Sequence, residues 1–130
     1  MDAEVERLEN YLESELGECR SEDVERRLRE LERTREEGES GFEAELDVLS
    51  ALADDTRYRL VRSLVAADGE LCVCELSSLV DVSDSALSHA LRRLSEAGLV
   101  KGRKQGRWKK YGATNRAVAL TTVVGGAVDD

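Results

Sequence analysis

The stretch SDSALSHALRRLSEAGLVKGRKQGRWKKYGAT, residues 83–114, decides the fold. Leu87, Leu91 and Leu94 follow one another at steps of four and three residues, which predicts a helix with one apolar face. The segment after this helix predicts two short strands around a turn at Gln105-Gly106. A helix followed directly by a small hairpin is typical of a winged helix-turn-helix.

The residues before this stretch complete the pattern. An apolar series from Phe42 predicts one helix, and Asp54 or Asp55 can cap a second. A helix over about 74–80 and a turn at 81–82 then precede the helix that Ser83 can cap. We therefore predict a mainly α fold with a small β-hairpin, a winged helix-turn-helix domain over residues 42–116. A short C-terminal segment, 117–130, is predicted to add a short helix for dimer packing.

Residues 1–41 predict an acidic helical extension. Two series of apolar residues, each at steps of three and four, are separated by Gly17, and Ser21 begins the second. Two interpretations are open: a pair of short helices that form a hairpin or a dimer seam, and a solvated, partly disordered acidic arm.

The net charge of -9 is unevenly distributed. Residues 1–47 hold 18 acidic and 7 basic residues, whereas 48–116 hold 8 and 12. A basic domain is therefore joined to an acidic extension, and the basic half is compatible with a nucleic-acid partner. An acid-rich surface is also typical of proteins that stay soluble in concentrated salt.

The polar face of the helix over 83–96 and the hairpin predict a DNA-binding surface. The helix offers hydrogen-bond donors for base edges and phosphates in a major groove, and the hairpin offers six cations within ten residues. We expect Trp108 to be the packing anchor of the hairpin. The candidate DNA-binding residues are Ser83, Ser85, Ser88, His89, Arg92, Arg93, Lys101, Arg103, Lys104, Arg107, Lys109 and Lys110.

Residues 52–114 resemble the ArsR/SmtB family of metal-responsive winged-helix repressors. The resemblance rests on the D-x-T-R start of the second helix, the box ELCVCEL and the series S-x-S-x-x-S-H-x-L followed by EAGLV. It implies a homodimer bound to an inverted-repeat operator, with the half-sites about one helical turn apart. It also implies that As(III) or Sb(III) releases the repressor by binding cysteine thiolates in this box.

Three cysteines are the candidate ligands. Cys72 and Cys74 match the first two ligand positions of the arsenic-sensing members, whereas Ser77 replaces the third. An odd cysteine count with two nearly adjacent residues argues against a disulfide framework and favours free thiols or a soft metal. Cys19 is the remaining thiol, and two interpretations of it stay open: a third ligand from its own or the partner subunit, or an idle residue.

Other functions are weighed on the same sequence. No Gly-rich phosphate loop or nucleophile-base arrangement is present, so we predict neither an enzyme nor an organic cofactor. With no signal peptide or membrane span, we expect a cytoplasmic protein with no membrane contact. The alternatives are a winged-helix regulator that senses Cd(II), Pb(II) or thiol oxidation, and a protein-interaction module controlled by a partner.

Overall fold

A computed structural model describes residues 3–129, and for 127–129 it describes the backbone alone. Residues 1, 2 and 130, which end the predicted extension and C-terminal segment, lie outside the described residues. The chain divides into two compact units, residues 1–42 and 43–130. The elements are α1 (Ala3–Leu16), α2 (Ser21–Glu39), α3 (Phe42–Leu52), α4 (Asp55–Ala67), β1 (Leu71–Cys72), α5 (Val73–Ser77), α6 (Asp84–Glu96), β2 (Val100–Gln105), β3 (Trp108–Ala113) and α7 (Asn115–Asp129).

The first unit is a pair of contacting helices, α1 and α2. Gly17 ends α1 with φ 86°, a left-handed conformation that glycine adopts without a steric penalty. The Asp23 carboxylate accepts a hydrogen bond from the Arg20 backbone N–H at 3.0 Å and so caps the start of α2. Leu12 and Val24 are the buried residues of this unit's helices. These residues thus form two contacting helices, and their role as a hairpin or as a dimer seam stays a prediction.

The second unit has a core of leucines from several helices. Leu60 and Leu64 of α4 are fully buried with Leu87, Leu91 and Leu94 of α6. The apolar face of α6 thus packs inward, which leaves its polar face to solvent. Two predicted caps hold the helix starts: the Asp54 carboxylate accepts from the Arg57 N–H at 3.0 Å, and the Ser83 hydroxyl accepts from the Ala86 N–H at 3.1 Å.

A three-stranded antiparallel sheet, in the order β1-β3-β2, completes this unit. The predicted hairpin is confirmed as β2 and β3, with Gln105 opposite Trp108. Its two-residue loop is Gly106 and Arg107, one residue later than the predicted turn. Gly106 occupies the first loop position with φ 62°, as a tight primed turn requires. Strand β1 was not predicted, because a two-residue strand has no periodicity of its own. Helix α5, turn, helix α6 and this hairpin together form a winged helix-turn-helix.

Helix α7 corrects one prediction. The C-terminal segment was expected to give a short helix, but α7 has 15 residues and extends to Asp129. Val118 and Val123 lie exposed on it, while Ala117 is buried in the core. Among the described residues, no helix is both long enough and apolar enough to cross a membrane.

Candidate cysteine site and DNA-binding surface

Cys72 and Cys74 come together where the sheet meets the helix-turn-helix. Cys72 ends β1 in an extended conformation and is the N-cap of α5, whereas Cys74 lies in the first turn of that helix. The extended N-cap removes the divergence that two residues on one regular helix would show. Their Cα atoms are 5.3 Å apart and their sulfur atoms are joined in a disulfide. The prediction of free thiols at this pair therefore differs from the structure.

The surroundings of the pair are asymmetric. Cys72 is 9% exposed, whereas Cys74 is exposed to solvent. The Cys72 N–H donates to the Glu75 carboxylate at 2.9 Å, which fixes the start of α5. Cys72 is also the register partner of Lys110 in β3, so the two side chains share one face of the sheet.

Cys19 and the Cys72–Cys74 pair belong to different units of the chain. Cys19 belongs to the first unit, where its thiol is half-buried and donates to the Arg20 carbonyl at 3.8 Å. Burial, followed by the charges of Asp23, Glu9 and Glu13, raises the pKa of the Cys19 thiol. Among residues 3–129, no three His, Cys, Asp or Glu side chains group as metal ligands. The sulfur atoms that the structure brings together within the second unit are those of Cys72 and Cys74.

The polar face of α6 is exposed as predicted. Ser85, Ser88, His89 and Arg92 lie in solvent, and the Ser83 hydroxyl is the N-cap acceptor. Arg93 differs from its neighbours. Its guanidinium donates to the Asp47 carbonyl at 3.1 Å and lies 3.2 Å from the Asp47 carboxylate, so it ties α6 to α3.

The hairpin carries its cations toward solvent, with one exception. The Arg103 guanidinium contacts both carboxylate oxygens of Glu70, at 2.8 Å from Nε and 2.6 Å from Nη2. These hydrogen bonds lower the pKa of Glu70. Glu70 immediately precedes β1, so the ion pair connects the strand of the cysteine site to β2. The remaining cations, Lys101, Lys104, Arg107, Lys109 and Lys110, are exposed or half-exposed.

Trp108 is not the packing anchor that we expected. Its side chain is 49% exposed, and the Arg107 guanidinium lies 5.1 Å from the ring centroid. The half-buried Tyr111 packs against the core instead and covers Gly102, where a Cβ atom would meet the Tyr111 ring at 2.7 Å. Tyr111 and Trp108 lie three residues apart in β3 and so point to opposite faces.

The comparisons with known proteins agree with this architecture. Residues 54–101 match the family model described as the bacterial regulatory protein, arsR family. A Halobacterium salinarum protein that carries the name arsenical resistance operon repressor ArsR is 52% identical over 95% of this chain and 96% of its own length. The chain belongs to the ArsR family. The family and the fold are those of DNA-binding transcriptional regulators, as the resemblance implied.

Other proteins similar to this chain are named for cadmium resistance or for arsenical resistance. A Staphylococcus aureus homologue of the cadmium resistance regulatory protein CadC is 41% identical over 49% of this chain and 52% of its own. A crystal structure described as a possible transcriptional regulator for arsenical resistance is 38% identical, with a TM-score of 0.52 over 63% of this chain and 83% of that one.

Two partners on this ArsR-family surface were missed in the sequence. Asp47 and Glu70 each neutralise a predicted DNA-binding arginine, at sequence separations of 46 and 33 residues. No local spacing rule connects residues so far apart. One sequence feature could have indicated the position of Glu70. It directly follows the Asp68-Gly69 turn and precedes the cysteine box, and this position places it at the edge of the sheet.

Proposed function

We propose that this chain is a cytoplasmic, homodimeric repressor that leaves its operator when As(III) or Sb(III) binds the reduced Cys72 and Cys74 thiols. The convergence of the two sulfur atoms at the start of α5 is the observation that carries the proposal. A trivalent arsenic or antimony centre is soft and prefers sulfur ligands. Relatives named for arsenical resistance support the choice of ion.

The chemistry at the pair is a condensation. In their reduced state, the Cys72 and Cys74 thiols replace two hydroxyl groups of As(OH)3 and release two water molecules, forming two S–As bonds. The exposed Cys74 is the sulfur that meets the ion first, and the buried Cys72 then closes the chelate. Thiol reduction is required, since a disulfide has no proton to transfer to the leaving hydroxyl.

Cys19 is the third thiol that we propose for this site, because Ser77 is a poor ligand for a soft centre. Replacement of the last hydroxyl group by the Cys19 thiol releases one more water molecule. Three sulfur ligands suit trigonal As(III). Cd(II) and Pb(II) are the alternative ions, and the cadmium-named relative favours Cd(II).

The position of the pair supports a route to the DNA. Cys72 belongs to the sheet and Cys74 to α5, the first helix of the helix-turn-helix. A chelate that sets a new distance between the two sulfurs moves α5 relative to the sheet. The turn passes that movement to α6, whose exposed donors we propose for the major groove, with the hairpin cations on the backbone.

Operator binding followed by anisotropy tests this proposal. The reduced full chain is bound to a labelled duplex from upstream of its own gene and titrated with As(III), Sb(III), Cd(II), Pb(II) and Zn(II). We expect release by As(III) and Sb(III), with operator affinity reduced by roughly 5- to 150-fold, the usual range of allosteric coupling. Tight binding that no ion weakens contradicts the sensor, and an absence of binding at any salt concentration contradicts the DNA-binding function.

An apolar groove between α3 and α7 supports the homodimer. It is lined by Ala44, Val48, Leu49, Ala119 and Leu120, together with the charged residues Glu45 and Arg116. Leu49 is 55% exposed, and exposed valines continue the apolar surface along α7. Apolar patches of this kind on soluble proteins mark interaction surfaces. We infer that a second copy covers this groove and places two α6 helices on the two half-sites.

Substitution of Leu49→Asp tests the dimer. We expect the dimer dissociation constant to rise by at least about tenfold, because burying an unpaired carboxylate costs more than about 1.4 kcal/mol. Sedimentation equilibrium measures this change. Leu28→Asp is the matched control, since Leu28 is similarly exposed but lies on α2 of the first unit. A larger effect of Leu28→Asp assigns the dimer contact to the N-terminal helices instead.

Thiol oxidation is the second candidate signal. The disulfide between Cys72 and Cys74 is the observation that favours it, since it gives the pair an oxidised state within the same fold. In this version a two-electron oxidant removes two protons and two electrons from the thiols, and the disulfide form has the lower operator affinity. Treatment with diamide, which becomes the hydrazine, tests it without any metal ion: release then supports redox sensing.

A further inference from the structure

The ion pair between Glu70 and Arg103 spans the three-stranded sheet. Glu70 directly precedes β1 and Arg103 lies in β2, and the order β1-β3-β2 places β3 between these two strands. The pair therefore joins the two edges of the sheet across its central strand. Gly112 of β3 leaves the space that this crossing needs, since a Cβ atom there would lie 3.5 Å from the Glu70 Cγ atom.

The geometry of the pair fixes its two ends relative to each other. The Arg103 Nε donates to both carboxylate oxygens of Glu70 at 2.8 Å, and Nη2 lies 2.6 Å from Oε1. Contacts of this kind hold a planar guanidinium and a carboxylate in a defined orientation. The side chains are 34% exposed at Glu70 and 52% at Arg103, so the pair adds little to stability. What it provides is a defined distance between β1 and β2.

The cysteine site lies next to this ion pair. Cys72 follows Glu70 by two residues, and its register partner in β3 is Lys110. Lys110 is in turn the register partner of Arg103 in β2. Cys72, Lys110 and Arg103 thus form one row across the sheet, and Glu70 connects to the far end of that row. A movement of β1 at Cys72 therefore reaches a side chain that is already attached to β2.

We propose that Glu70 is a positioning residue that couples the cysteine site to the hairpin of β2 and β3. Chelation of As(III) by the Cys72 and Cys74 thiols displaces β1, and Glu70 transmits this displacement through the Arg103 guanidinium to β2. The hairpin then changes its orientation relative to α6, and the two parts of the DNA-binding surface no longer fit one operator. This inference rests on the proposed function and adds a route through the sheet to the route through α5.

The fluorescence of Trp108 tests this route without DNA, because Trp108 is the single tryptophan of the chain and begins β3. The reduced full chain is titrated with As(III) while acrylamide quenching follows the indole ring. Isothermal titration calorimetry reports binding of the ion separately. In the wild type we expect As(III) to change the quenching constant of Trp108. In Glu70→Gln we expect the ion to bind with the same affinity and this change to be lost.

Glu32→Gln is the matched control for this variant. Glu32 forms an ion pair with Arg35 that is equally short, at 2.6 Å, and also exposed, but it lies on α2 of the first unit. Both substitutions remove one negative charge and one exposed ion pair. Glu32→Gln is expected to retain the As(III)-induced change in the quenching of Trp108.

A double-mutant cycle tests whether Glu70 acts through Arg103. The coupling is the ratio of the operator dissociation constants with and without As(III). Glu70→Gln and Arg103→Gln are each expected to lower this ratio by roughly 2- to 30-fold, the usual range for residues that transmit coupling. The double variant is expected to show the same ratio as either single variant, because the two residues act as one unit.

The outcomes separate this inference from the function beneath it. If As(III) binds but Trp108 responds equally in Glu70→Gln and the wild type, or in neither, the inference is wrong and the sensor stands. If the two single losses of coupling add in the double variant, Glu70 does not act through Arg103 and the inference is also wrong. If Glu70→Gln no longer binds As(III), Glu70 supports the cysteine site itself, which again contradicts the inference. If the reduced wild type binds no As(III), the proposed function fails together with the inference.

Discussion

A Cys72→Ser variant is expected to bind its operator like the unmodified protein and to ignore As(III). Cys72 is the buried member of the pair and links β1 to α5, so its sulfur is the one whose movement the fold must transmit. Serine preserves the shape of the site, but its hydroxyl group is a hard ligand that does not replace a thiolate on a soft centre. The full allosteric response, roughly 5- to 150-fold in operator affinity, is therefore lost. Anisotropy of the labelled operator measures it.

Two companion variants make this result specific. Cys74→Ser is expected to lose the response equally, because one sulfur cannot close a chelate. Ser77→Ala is the matched control, since it changes the residue at the third family position without removing a thiol. Cys19→Ser decides between a two-sulfur and a three-sulfur site: a retained response in this variant excludes Cys19 as a required ligand. A normal As(III) response in Cys72→Ser would contradict the proposed metalloid site at Cys72 and Cys74.

The As(III) response is expected to depend on the oxidation state of Cys72 and Cys74. Diamide-treated wild-type protein is expected to be insensitive to As(III), because the Cys72–Cys74 disulfide removes both donor thiols. If oxidation alone already releases the operator, the pair reads thiol state rather than the metalloid. The Cys72→Ser variant blocks both routes, so the wild-type titration has to be made before and after reduction.

Much of the fold followed from local rules. The leucines of α6 share one helical face, and Ser83 and Asp54 cap helices where side-chain chemistry predicted caps. These features depend on neighbours within four residues. Strand β1 depends instead on its pairing with β3, where Leu71 meets Tyr111 across 40 positions of sequence. A strand of two residues defined by a distant partner has no signature that periodicity can detect.

The candidate site also has features that local sequence predicts and features that depend on residues distant in sequence. The cysteine box was visible in the sequence through its resemblance to the family motif. The meeting of its two sulfur atoms depends on the extended N-cap at Cys72, which no sequence pattern showed. The sequence predicted that Arg93 and Arg103 would face DNA, but it does not show which cations form ion pairs within the protein. The pairs with Asp47 and Glu70 join residues that are distant in sequence and become visible only in the folded structure.

Leu94→Ala is expected to lower the free energy of unfolding by about 2–5 kcal/mol. Leu94 is fully buried between α6 and the rest of the core, so the smaller side chain leaves a cavity lined by other leucines. Urea denaturation followed by circular dichroism measures the change. Tryptophan emission is the weaker probe, because Trp108 is already half-exposed in the folded state. Leu79→Ala is the matched control, since Leu79 is 46% exposed and has little packing to lose.

The same helix allows stability and DNA binding to be separated. Arg92 lies two residues from Leu94 but on the solvent side of α6. Arg92→Ala is expected to weaken operator binding with almost no loss of stability. Leu94→Ala is expected to lower stability, while the molecules that stay folded bind the operator normally. A loss below about 1 kcal/mol for Leu94→Ala would mean that this site relaxes to fill the cavity or that α6 does not pack its leucine face inward. The donors of α6 face solvent only when its leucine face is buried. The proposed contact of α6 with DNA therefore requires that the leucine face packs inward.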